Sequence, residues 1–291
     1  MKILLIGKNG QVGWELSHTL LTHGEIIEVD YPQIDLADHI SIRELIGNVK
    51  PDVIVNAAAY TNVDKAESKP EIAMKVNGIA PAVIAEEAQK LHSAFIHFST
   101  DYVFDGLKNS PYVETDTPNP INVYGVTKLE GENAIKQIGG SYLIFRTSWV
   151  FSLRQGGFVA KILQWARKNK KLYIVDDQIG CPTWSRLLAQ SVSHVLAQGN
   201  CNPIEYLMEK SGLYHLAGGG FCNRFEWAKT ILDLDPNKSE QITEAVIPGK
   251  SIDFQTAAMR PSNSSLNCDR VKDSFNLSIP NWQLLMKSLF N

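Results

Sequence analysis

Short, almost continuously apolar runs alternate along the first two thirds of the chain with segments of helical periodicity. Such runs are typical of parallel strands that are covered on both faces. The predicted strands are KILLI (2–6), IIEV (26–29), VIVNAAA (53–59), AFIHFS (94–99), YLIFRT (142–147) and LYIVDD (172–177). The predicted helices are 11–23, 41–49, 70–91, 123–138 and 157–169. This alternation predicts an α/β fold with a doubly wound parallel sheet of the Rossmann type.

The strand–helix rhythm fails after about residue 200, where a glycine triplet at 218–220 and several proline-containing turns follow. This change predicts a smaller C-terminal lobe at the carboxyl edge of the sheet, where open α/β sheets bind ligands. We therefore expect a dinucleotide-binding and catalytic domain over 1–150, to which 171–199 returns, and a substrate-binding lobe made of 151–170 and 200–291.

Composition excludes several classes of function. The net charge of −3 gives no basic surface for nucleic acid. The N-terminal MKILLIG is too short an apolar run for a signal peptide or membrane span, and no later run approaches ~20 apolar residues. The cysteines form no CxxC pair and the histidines no HxxxH, so we expect reduced thiols, a cytoplasmic location and no catalytic metal site. The cysteines are Cys181, Cys201, Cys222 and Cys268.

Three glycines follow the first strand in GKNGQVG and precede an amphipathic helix. Gly7 would allow the tight turn, Gly10 would let the backbone approach a pyrophosphate, and Gly13 would let helix and strand pack closely. The phosphates would then meet the free N–H groups of the helix N-terminus. The GxxGxxG spacing is the form found in extended short-chain dehydrogenases.

Asp30 ends the second strand, twenty residues after Gly10. A carboxylate there accepts hydrogen bonds from the adenosine ribose and repels a 2′-phosphate, which favours NADH, although an aspartate alone leaves NADPH open. The alternative is a turn aspartate before Tyr31-Pro32. Asp35 and Leu36 would flank the adenine, or would simply belong to the start of the next helix.

Tyr124 and Lys128 lie four residues apart on a predicted helix, so they share one face. An ammonium near a phenol lowers the phenol's pKa toward the range that an acid/base catalyst needs. Thr100 ends the fourth strand, 24 residues before Tyr124, and could hydrogen-bond a substrate carbonyl. Together the three residues predict carbonyl reduction, in which the dinucleotide supplies the hydride and Tyr124 the proton.

The motifs GKNGQVGWEL, VIVNAAAYTNVDKAE, STDYVFDG, NVYGVTKLEGE, RTSWVF, DDQIGCPT and RPSNSSLN stand in this order. In this order they resemble the dTDP-4-dehydrorhamnose reductases, over essentially the whole chain. The resemblance implies reduction of the 4-keto group of dTDP-4-dehydro-β-L-rhamnose with NADH or NADPH, the last step of dTDP-L-rhamnose synthesis.

The resemblance also implies roles for individual residues. It assigns to the cofactor Gly10, Gln11, Val12, Asp30, Asp35, Leu36, Ala59, Tyr60, Thr61, Tyr124 and Lys128. It assigns to the nucleotide sugar Thr100, Asp101, Trp149, Gln178, Pro182 and Arg260. For two of these residues a purely structural role is an alternative of equal weight: Trp149 could be a core side chain, and Arg260 could form a surface salt bridge. Cys181 stands where the family often has alanine, and we expect a small buried filler.

Some proteins of this family are homodimers bridged by Mg²⁺ on glutamates. Glu15 matches one of those ligands, but Arg186 replaces another. The substitution argues against a metal-bridged dimer, while a homodimer without metal stays open.

Two other functions remain. One is a related nucleotide-sugar enzyme, either an epimerase that keeps NAD tightly bound or a reductase of another dTDP-4-keto sugar. The other is a non-catalytic regulatory subunit resembling the β chain of methionine adenosyltransferase. The intact set of Thr100, Tyr124 and Lys128 argues against a purely regulatory role.

Overall fold

The centre of the molecule is a six-stranded parallel sheet with helices on both faces. The structure, a computed structural model, describes residues 1–154, 156–199 and 202–290. The strands are β1 (Lys2–Ile6), β2 (Glu25–Val29), β3 (Val53–Asn56), β4 (Ala94–Thr100), β5 (Tyr142–Thr147), β6 (Val150–Phe151), β7 (Lys171–Val175), β8 (Ile179–Gly180), β9 (Thr183–Trp184), β10 (Gly212–His215), β11 (Cys222–Asn223) and β12 (Ala245–Gly249). The helices are α1 (Gln11–Thr19), α2 (His39–Val49), α3 (Val63–Ser68), α4 (Pro70–Met74), α5 (Ala80–Lys90), α6 (Val123–Ile138), α7 (Gly157–Ala166), α8 (Ser185–Gln198), α9 (Pro203–Glu209), α10 (Arg224–Leu234), α11 (Asp269–Phe275) and α12 (Trp282–Phe290).

The large sheet has the strand order β10-β5-β4-β3-β1-β2, and every neighbouring pair is parallel. Its apolar residues feed two separate cores because successive side chains point to opposite faces. Leu16 of α1 and Leu188 of α8 belong to the core on one face, and Ile46 of α2, Ile84 of α5 and Ile135 of α6 to the core on the other. Both layers are apolar and covered by helices, which confirms the predicted doubly wound fold.

One strand assignment was wrong. The predicted strand at 172–177 forms as β7, but it pairs with β12 in a separate two-stranded sheet. Its residues alternate between exposed and buried, as in a strand with one covered face, rather than being buried throughout. The sixth strand of the large sheet is β10, which pairs with β5. This strand lies within 200–291, the segment expected to belong to the C-terminal lobe. Of 171–199, the part that does pack against the dinucleotide-binding half is α8, on α1.

A third apolar core lies outside the large sheet. It contains Phe151, Ile162 of α7, Leu172 of β7, Trp227 of α10 and Leu285 of α12. This separate core is consistent with a second lobe, whose role in binding substrate stays a prediction. In the described ranges no helix is long and apolar enough to cross a membrane.

The sheet brings several predicted site residues to one edge. Thr100 ends β4 directly opposite Thr147, which ends β5. The chain segments that continue from these two ends, Asp101 from β4 and Ser148-Trp149 from β5, therefore start at the same carboxyl edge. The predicted helix 123–138 forms within the same bounds as α6, which packs against β4 and carries Tyr124 to this edge.

Candidate active site

The glycine loop after β1 opens the N-terminus of α1 toward a cavity of about 970 Å³. Gly7 has a φ of +95°, and a Cβ there would lie 2.7 Å from the backbone nitrogen of Ala58. A Cβ on Gly13 would lie 1.9 Å from the carbonyl oxygen of Gly7, so Gly13 is needed for close packing of loop and helix. Gly10 is the N-cap of α1 and no side chain caps the helix, which leaves its first amides available to an anion.

Most residues predicted to bind the cofactor line this cavity. They are Gly7, Gly10, Gln11, Val12, Asp30, Ala59, Thr61, Tyr124 and Lys128. Gly13, Asp35, Leu36 and Tyr60 are not part of its lining. Leu36 is buried in the apolar core, and a carboxylate oxygen of Asp35 accepts a hydrogen bond from the Ala37 amide. Tyr60 is held by its backbone, whose N–H donates to Oδ1 of Asn77.

Asp30 makes the hydrogen bonds of a turn aspartate, and its contact with a ribose stays a prediction. One carboxylate oxygen accepts from the Asn9 amide at 2.8 Å and the other from the Tyr31 amide at 2.7 Å. The carboxylate therefore fixes the turn and ties it to the glycine loop. Since it also lines the cavity, its remaining lone pairs are placed to accept from a ribose hydroxyl.

The Tyr124 phenol is partly buried at the wall of the same cavity. Its ring packs edge-on against Tyr102, with centroids 5.9 Å apart. Burial raises the pKa of Tyr124 above its ordinary value of 10, and the neighbouring Thr100 hydroxyl opposes the shift. The phenol is thus protonated at neutral pH, the form in which it can give a proton to a substrate oxygen.

Lys128 is fully buried, and its side-chain nitrogen contacts two groups of β4. Nζ donates to the carbonyl oxygen of Phe98 at 2.7 Å and lies 3.0 Å from Nε2 of His97. Burial lowers the pKa of Lys128 to about 8, while Glu132 opposes this. Burial of the phenol outweighs any lowering by Lys128, so the pKa of Tyr124 is raised on balance rather than brought toward the working range as expected.

The buried carboxylate of Asp101 accepts hydrogen bonds from three hydroxyl groups. It accepts from Thr100 at 3.1 Å, from Ser148 at 2.8 Å and from Ser264 at 2.5 Å. Burial raises the pKa of Asp101, and the three hydroxyls oppose the shift. Asp101 thereby connects the end of β4 to the segment after β5 and to the C-terminal segment.

A second cavity, of about 1220 Å³, adjoins the first, since Val150 and Gly157 line both. Its lining includes three residues predicted to meet the nucleotide sugar, namely Trp149, Gln178 and Arg260. Two of the other predicted residues, Thr100 and Asp101, are buried and line neither cavity, and the last one, Pro182, is not part of the lining either. It is buried, and its carbonyl oxygen packs so closely on Gly218 that a Cβ there would lie 2.2 Å away.

Trp149 is a partly buried side chain that packs against the core of the second lobe. Its φ of +43° is uncommon for a residue with a side chain and points to a functional constraint. Its indole stacks on Trp227, with centroids 5.4 Å apart, and the Arg224 guanidinium lies 3.6 Å from the ring centroid. One part of the Trp149 side chain packs on the lobe core and another lines the cavity, and its contact with a sugar stays a prediction.

Arg260 forms the salt bridge that was its alternative role, and its contact with the nucleotide sugar stays a prediction. Its guanidinium pairs with the Asp64 carboxylate at 2.7 Å and donates to the carbonyl oxygen of Ala258 at 3.0 Å. Arg260 nevertheless lines the larger cavity, where Lys161 and Arg224 add two further cationic groups.

Comparison with known proteins places this geometry in a family. The family model described as the RmlD substrate binding domain matches residues 1–291. A dTDP-4-dehydrorhamnose reductase of Burkholderia thailandensis is 39% identical over 286 residues, covering 97% of this chain and 96% of its own. This chain belongs to the dTDP-4-dehydrorhamnose reductase family. The resemblance inferred from the motifs is thereby confirmed.

Solved structures of the same family agree in fold. A dTDP-4-dehydrorhamnose reductase of Clostridium acetobutylicum superimposes with a TM-score of 0.90 at 31% identity, covering 99% of this chain and 98% of that one. The reductase of Bacillus anthracis, solved in complex with NADP, gives a TM-score of 0.89 at 29% identity, again with 99% and 98% covered.

The glutamate that matches a metal ligand of some family members is engaged with an arginine here. Oε2 of Glu15 lies 3.0 Å from Nε of Arg186, whose guanidinium also packs over the Trp184 ring. Within the three described ranges, no group of three or more His, Cys, Asp or Glu residues is arranged to hold a metal ion. Cys181 is buried, and burial raises the pKa of its thiol, as befits the expected filler.

Several residues of the site were missed from the sequence. Arg224 follows β11 in a stretch without any recognised motif, so nothing in the sequence signalled its place over Trp149. Ser148 and Ser264 lie inside the motifs RTSWVF and RPSNSSLN, which carry the family resemblance but give neither serine a role. His97, which contacts Lys128, lies in a run whose apolar pattern predicts only a buried strand.

Proposed function

We propose that this protein reduces the 4-keto group of dTDP-4-dehydro-β-L-rhamnose to give dTDP-L-rhamnose, using NADH or NADPH. One observation carries the proposal. Tyr124 and Lys128 line the cavity under the glycine loop, and that cavity adjoins the cationic cavity through Val150 and Gly157. A dinucleotide in the first and a nucleotide sugar in the second would meet beside the Tyr124 phenol.

The first cavity suits a dinucleotide. The amides at the start of α1 would bind the pyrophosphate, Asp30 the adenosine ribose, and Lys128 the ribose next to the nicotinamide. When bound, NAD(P)H supplies the hydride for the carbonyl carbon. Asp30 favours NADH, because its carboxylate would repel a 2′-phosphate.

The proton comes from the protein. Tyr124 is protonated at neutral pH, since burial raises the pKa of its phenol, and it would give that proton to the oxygen of the former carbonyl. Thr100 would hydrogen-bond the same oxygen. Its hydroxyl is held at the strand end by Asp101 and by the Tyr102 amide. One hydride and one proton then convert the ketone to an alcohol, and the phenolate regains its proton from solvent.

The second cavity suits a dTDP-linked sugar. Lys161, Arg224 and Arg260 bring three cations to its lining, which complements a diphosphate. Trp149 offers an indole face on which a sugar ring could pack. The thymidine end would lie farther along the lining, beside Gln178, whose amide donates to the Ser251 hydroxyl at 3.0 Å.

We further propose a cytoplasmic location, which the free and buried state of Cys181, Cys222 and Cys268 supports. We also keep the division into a dinucleotide-binding half and a substrate-binding lobe, amended for β10 and β7. The separate apolar core of the lobe supports that division. A homodimer stays a prediction.

The decisive experiment is a spectrophotometric assay with authentic dTDP-4-dehydrorhamnose and either NADH or NADPH. We expect substrate-dependent loss of the nicotinamide absorbance and formation of dTDP-L-rhamnose. No loss with either cofactor would overturn the proposal, and NAD that copurifies at full occupancy would favour an epimerase instead. Tyr124→Phe should lower kcat by about 10²-fold or more. Tyr142→Phe, at the far end of β5, is the matched control and should keep the wild-type rate.

A further inference from the structure

A buried chain of polar side chains runs behind the site, from β3 through β4 to α6. Asn56 and His97 are direct neighbours in the register of β3 and β4. Nδ2 of Asn56 lies 3.3 Å from Nδ1 of His97, and Nε2 of His97 lies 3.0 Å from Nζ of Lys128. Each of the three residues is only 1% exposed, so water does not substitute for a missing partner.

The direction of the hydrogen bonds in this chain is fixed from one end. The backbone N–H of Ala58 donates at 3.0 Å to Oδ1 of Asn56, which identifies the oxygen of that amide. The NH₂ group of Asn56 therefore faces Nδ1 of His97 and needs a lone pair there. Complete burial is the main cause that holds the pKa of His97 well below its ordinary value, so the ring is neutral and carries one proton. That proton is consequently on Nε2, the nitrogen that faces Lys128.

An N–H on Nε2 requires an acceptor, and an ammonium has none. The neutral amine of Lys128 does have a lone pair, and it can still donate to the Phe98 carbonyl. All contacts of the chain are satisfied together only when Lys128 is neutral. With a charged Lys128, one contact of the chain must pair donor with donor.

We propose that His97, oriented by Asn56, is a positioning residue that presents an N–H to Lys128 and so favours its neutral amine, easing release of the lysine's proton within the working pH range. The inference rests on the proposed function, in which Lys128 binds the ribose next to the nicotinamide. Its structural basis is the set of contacts among Asn56, His97, Lys128 and Ala58.

The other charged and titratable groups around Lys128 do not account for this effect. Glu132 on α6 favours the charged lysine, but its carboxylate is already paired with Arg146. Tyr124, one turn earlier on α6, is neutral, since burial raises the pKa of its phenol. Asp101, in the turn after β4, is taken up by three hydroxyls. Among the residues that the structure describes, His97 is the one whose side chain lies within hydrogen-bond distance of Nζ.

The end of this row of hydrogen bonds that lies away from Lys128 reaches the wall of the cofactor cavity. Ala58, whose amide orients Asn56, lines that cavity and lies against Gly7 of the glycine loop. The hydrogen bonds therefore link the amino group of Lys128 to the backbone beside which the dinucleotide would lie. For this reason the affinity for the cofactor should change when Lys128 gains or loses its proton.

Two substitutions change which groups donate and which accept in these hydrogen bonds, while keeping similar side-chain volumes. In His97→Gln, the side-chain amide can present an oxygen to the ammonium of Lys128. In Asn56→Asp, one carboxylate oxygen still accepts from Ala58 and the other accepts from Nδ1, so that the proton moves and Nε2 becomes an acceptor for the ammonium. Both variants should favour the charged lysine. His194→Gln is the matched control, since His194 lies on α8 and contacts the Phe275 carbonyl.

The measurement is the dissociation constant of NADH, from nicotinamide fluorescence, across a pH series from about 6 to about 10. In the wild type we expect the affinity for NADH to fall as the pH rises past about 8, the value to which burial lowers the pKa of Lys128. We call this falling part of the pH profile the limb. In His97→Gln and Asn56→Asp the limb should move up by about one pH unit, the scale set by one hydrogen bond to a charged group. His194→Gln should keep the wild-type limb.

The outcomes separate this inference from the proposed function. A limb that stays in place in both folded variants, or a uniform loss of affinity at every pH, would overturn the role of His97. A wild-type protein that binds NADH but does not reduce the nucleotide sugar would overturn the proposed function and still test His97. If His97→Gln does not fold, the position of the limb in Asn56→Asp decides.

Discussion

The indole of Trp149 occupies the space that a side chain on residue 180 would need. A Cβ built on Gly180 would lie 2.3 Å from Cε2 of Trp149 and 2.6 Å from Nε1. Contacts this short do not occur between non-bonded atoms, so glycine at this position is what allows the ring to lie against the strand. The aromatic wall of the larger cavity therefore depends on a residue that offers no side chain to the ligand.

Gly180→Ala should displace the Trp149 indole and weaken binding of the nucleotide sugar. The ring is stacked on Trp227 and lies under Arg224, so it has little freedom to move without losing those contacts. We expect KM for the dTDP-sugar to rise by about tenfold, equivalent to about 1.4 kcal/mol, with the affinity for NADH unchanged. Steady-state kinetics and fluorescence titration measure the two effects.

Gly47→Ala is the matched control for this substitution. Gly47 lies in α2, and a Cβ there meets no other atom within 4 Å. Both binding constants should stay at the wild-type values. An unchanged KM in Gly180→Ala would mean that the nucleotide sugar does not use the Trp149 face.

Arg224→Lys should weaken nucleotide-sugar binding through a different contact. A planar guanidinium stacks on an aromatic face and can pair with phosphate through two N–H groups, whereas an ammonium does neither. Loss of the contact with Trp149 alone is worth about 0.5–2 kcal/mol, so KM for the dTDP-sugar should rise by roughly tenfold, with a smaller effect on kcat. A fall in kcat at constant KM would contradict this role.

The control for Arg224 is Arg270→Lys. Arg270 likewise stacks on an aromatic ring, with its guanidinium 4.9 Å from the centroid of Tyr214, but it belongs to the lining of neither cavity. The same exchange of side chains should leave KM as in the wild type.

The strands of the large sheet were predictable where an apolar run is buried on both faces, as in β4. The place of β7 was predicted wrongly because its length and composition match such a run. Its alternation of exposed and buried residues extends over only a few positions. β10 was missed because only four residues, starting with a glycine, fill the free edge of β5. Position in the sheet depends on contacts between distant segments, which local pattern does not specify.

The chemistry was predictable to the extent that it lies in consecutive motifs. The glycine loop, Thr100, Tyr124 and Lys128 each stand at a fixed place on one strand or helix. His97 and Arg224 gain their partners from other elements, His97 from β3 and α6 and Arg224 from the segment after β5. Electrostatics followed burial, which explains why the pKa of Tyr124 is raised although a lysine stands one turn away.

Glu132→Gln should strongly destabilise the fold. The Glu132 carboxylate is fully buried, accepts from Ser99 at 2.6 Å, and pairs with Arg146 through bonds of 2.8 and 2.6 Å. Removing its charge leaves the buried guanidinium uncompensated, which typically costs about 3–5 kcal/mol. Urea unfolding measures the loss.

Glu86→Gln provides the comparison at the surface. Glu86 pairs with Arg43, and both side chains are about 40% exposed. Breaking such a pair should cost less than about 1 kcal/mol. Equal losses in the two variants would show that the buried pair contributes no more than a solvated one.

Lys128→Met should change how stability depends on pH. Burial lowers the pKa of Lys128 from 10.5 to about 8 in the folded protein, so between these values the unfolded chain binds more protons than the folded one. Wild-type stability therefore gains from this lysine as the pH rises, in full above about 10.5, and loses that gain as the pH falls through about 8. Methionine does not titrate, so wild type should gain up to about 3 kcal/mol on the variant between neutral and alkaline pH. Urea unfolding of both proteins across this range measures the change, with Lys170→Met, at an exposed lysine, keeping the wild-type dependence. A constant difference between wild type and Lys128→Met would show that Lys128 has the same proton affinity in the folded and unfolded chains.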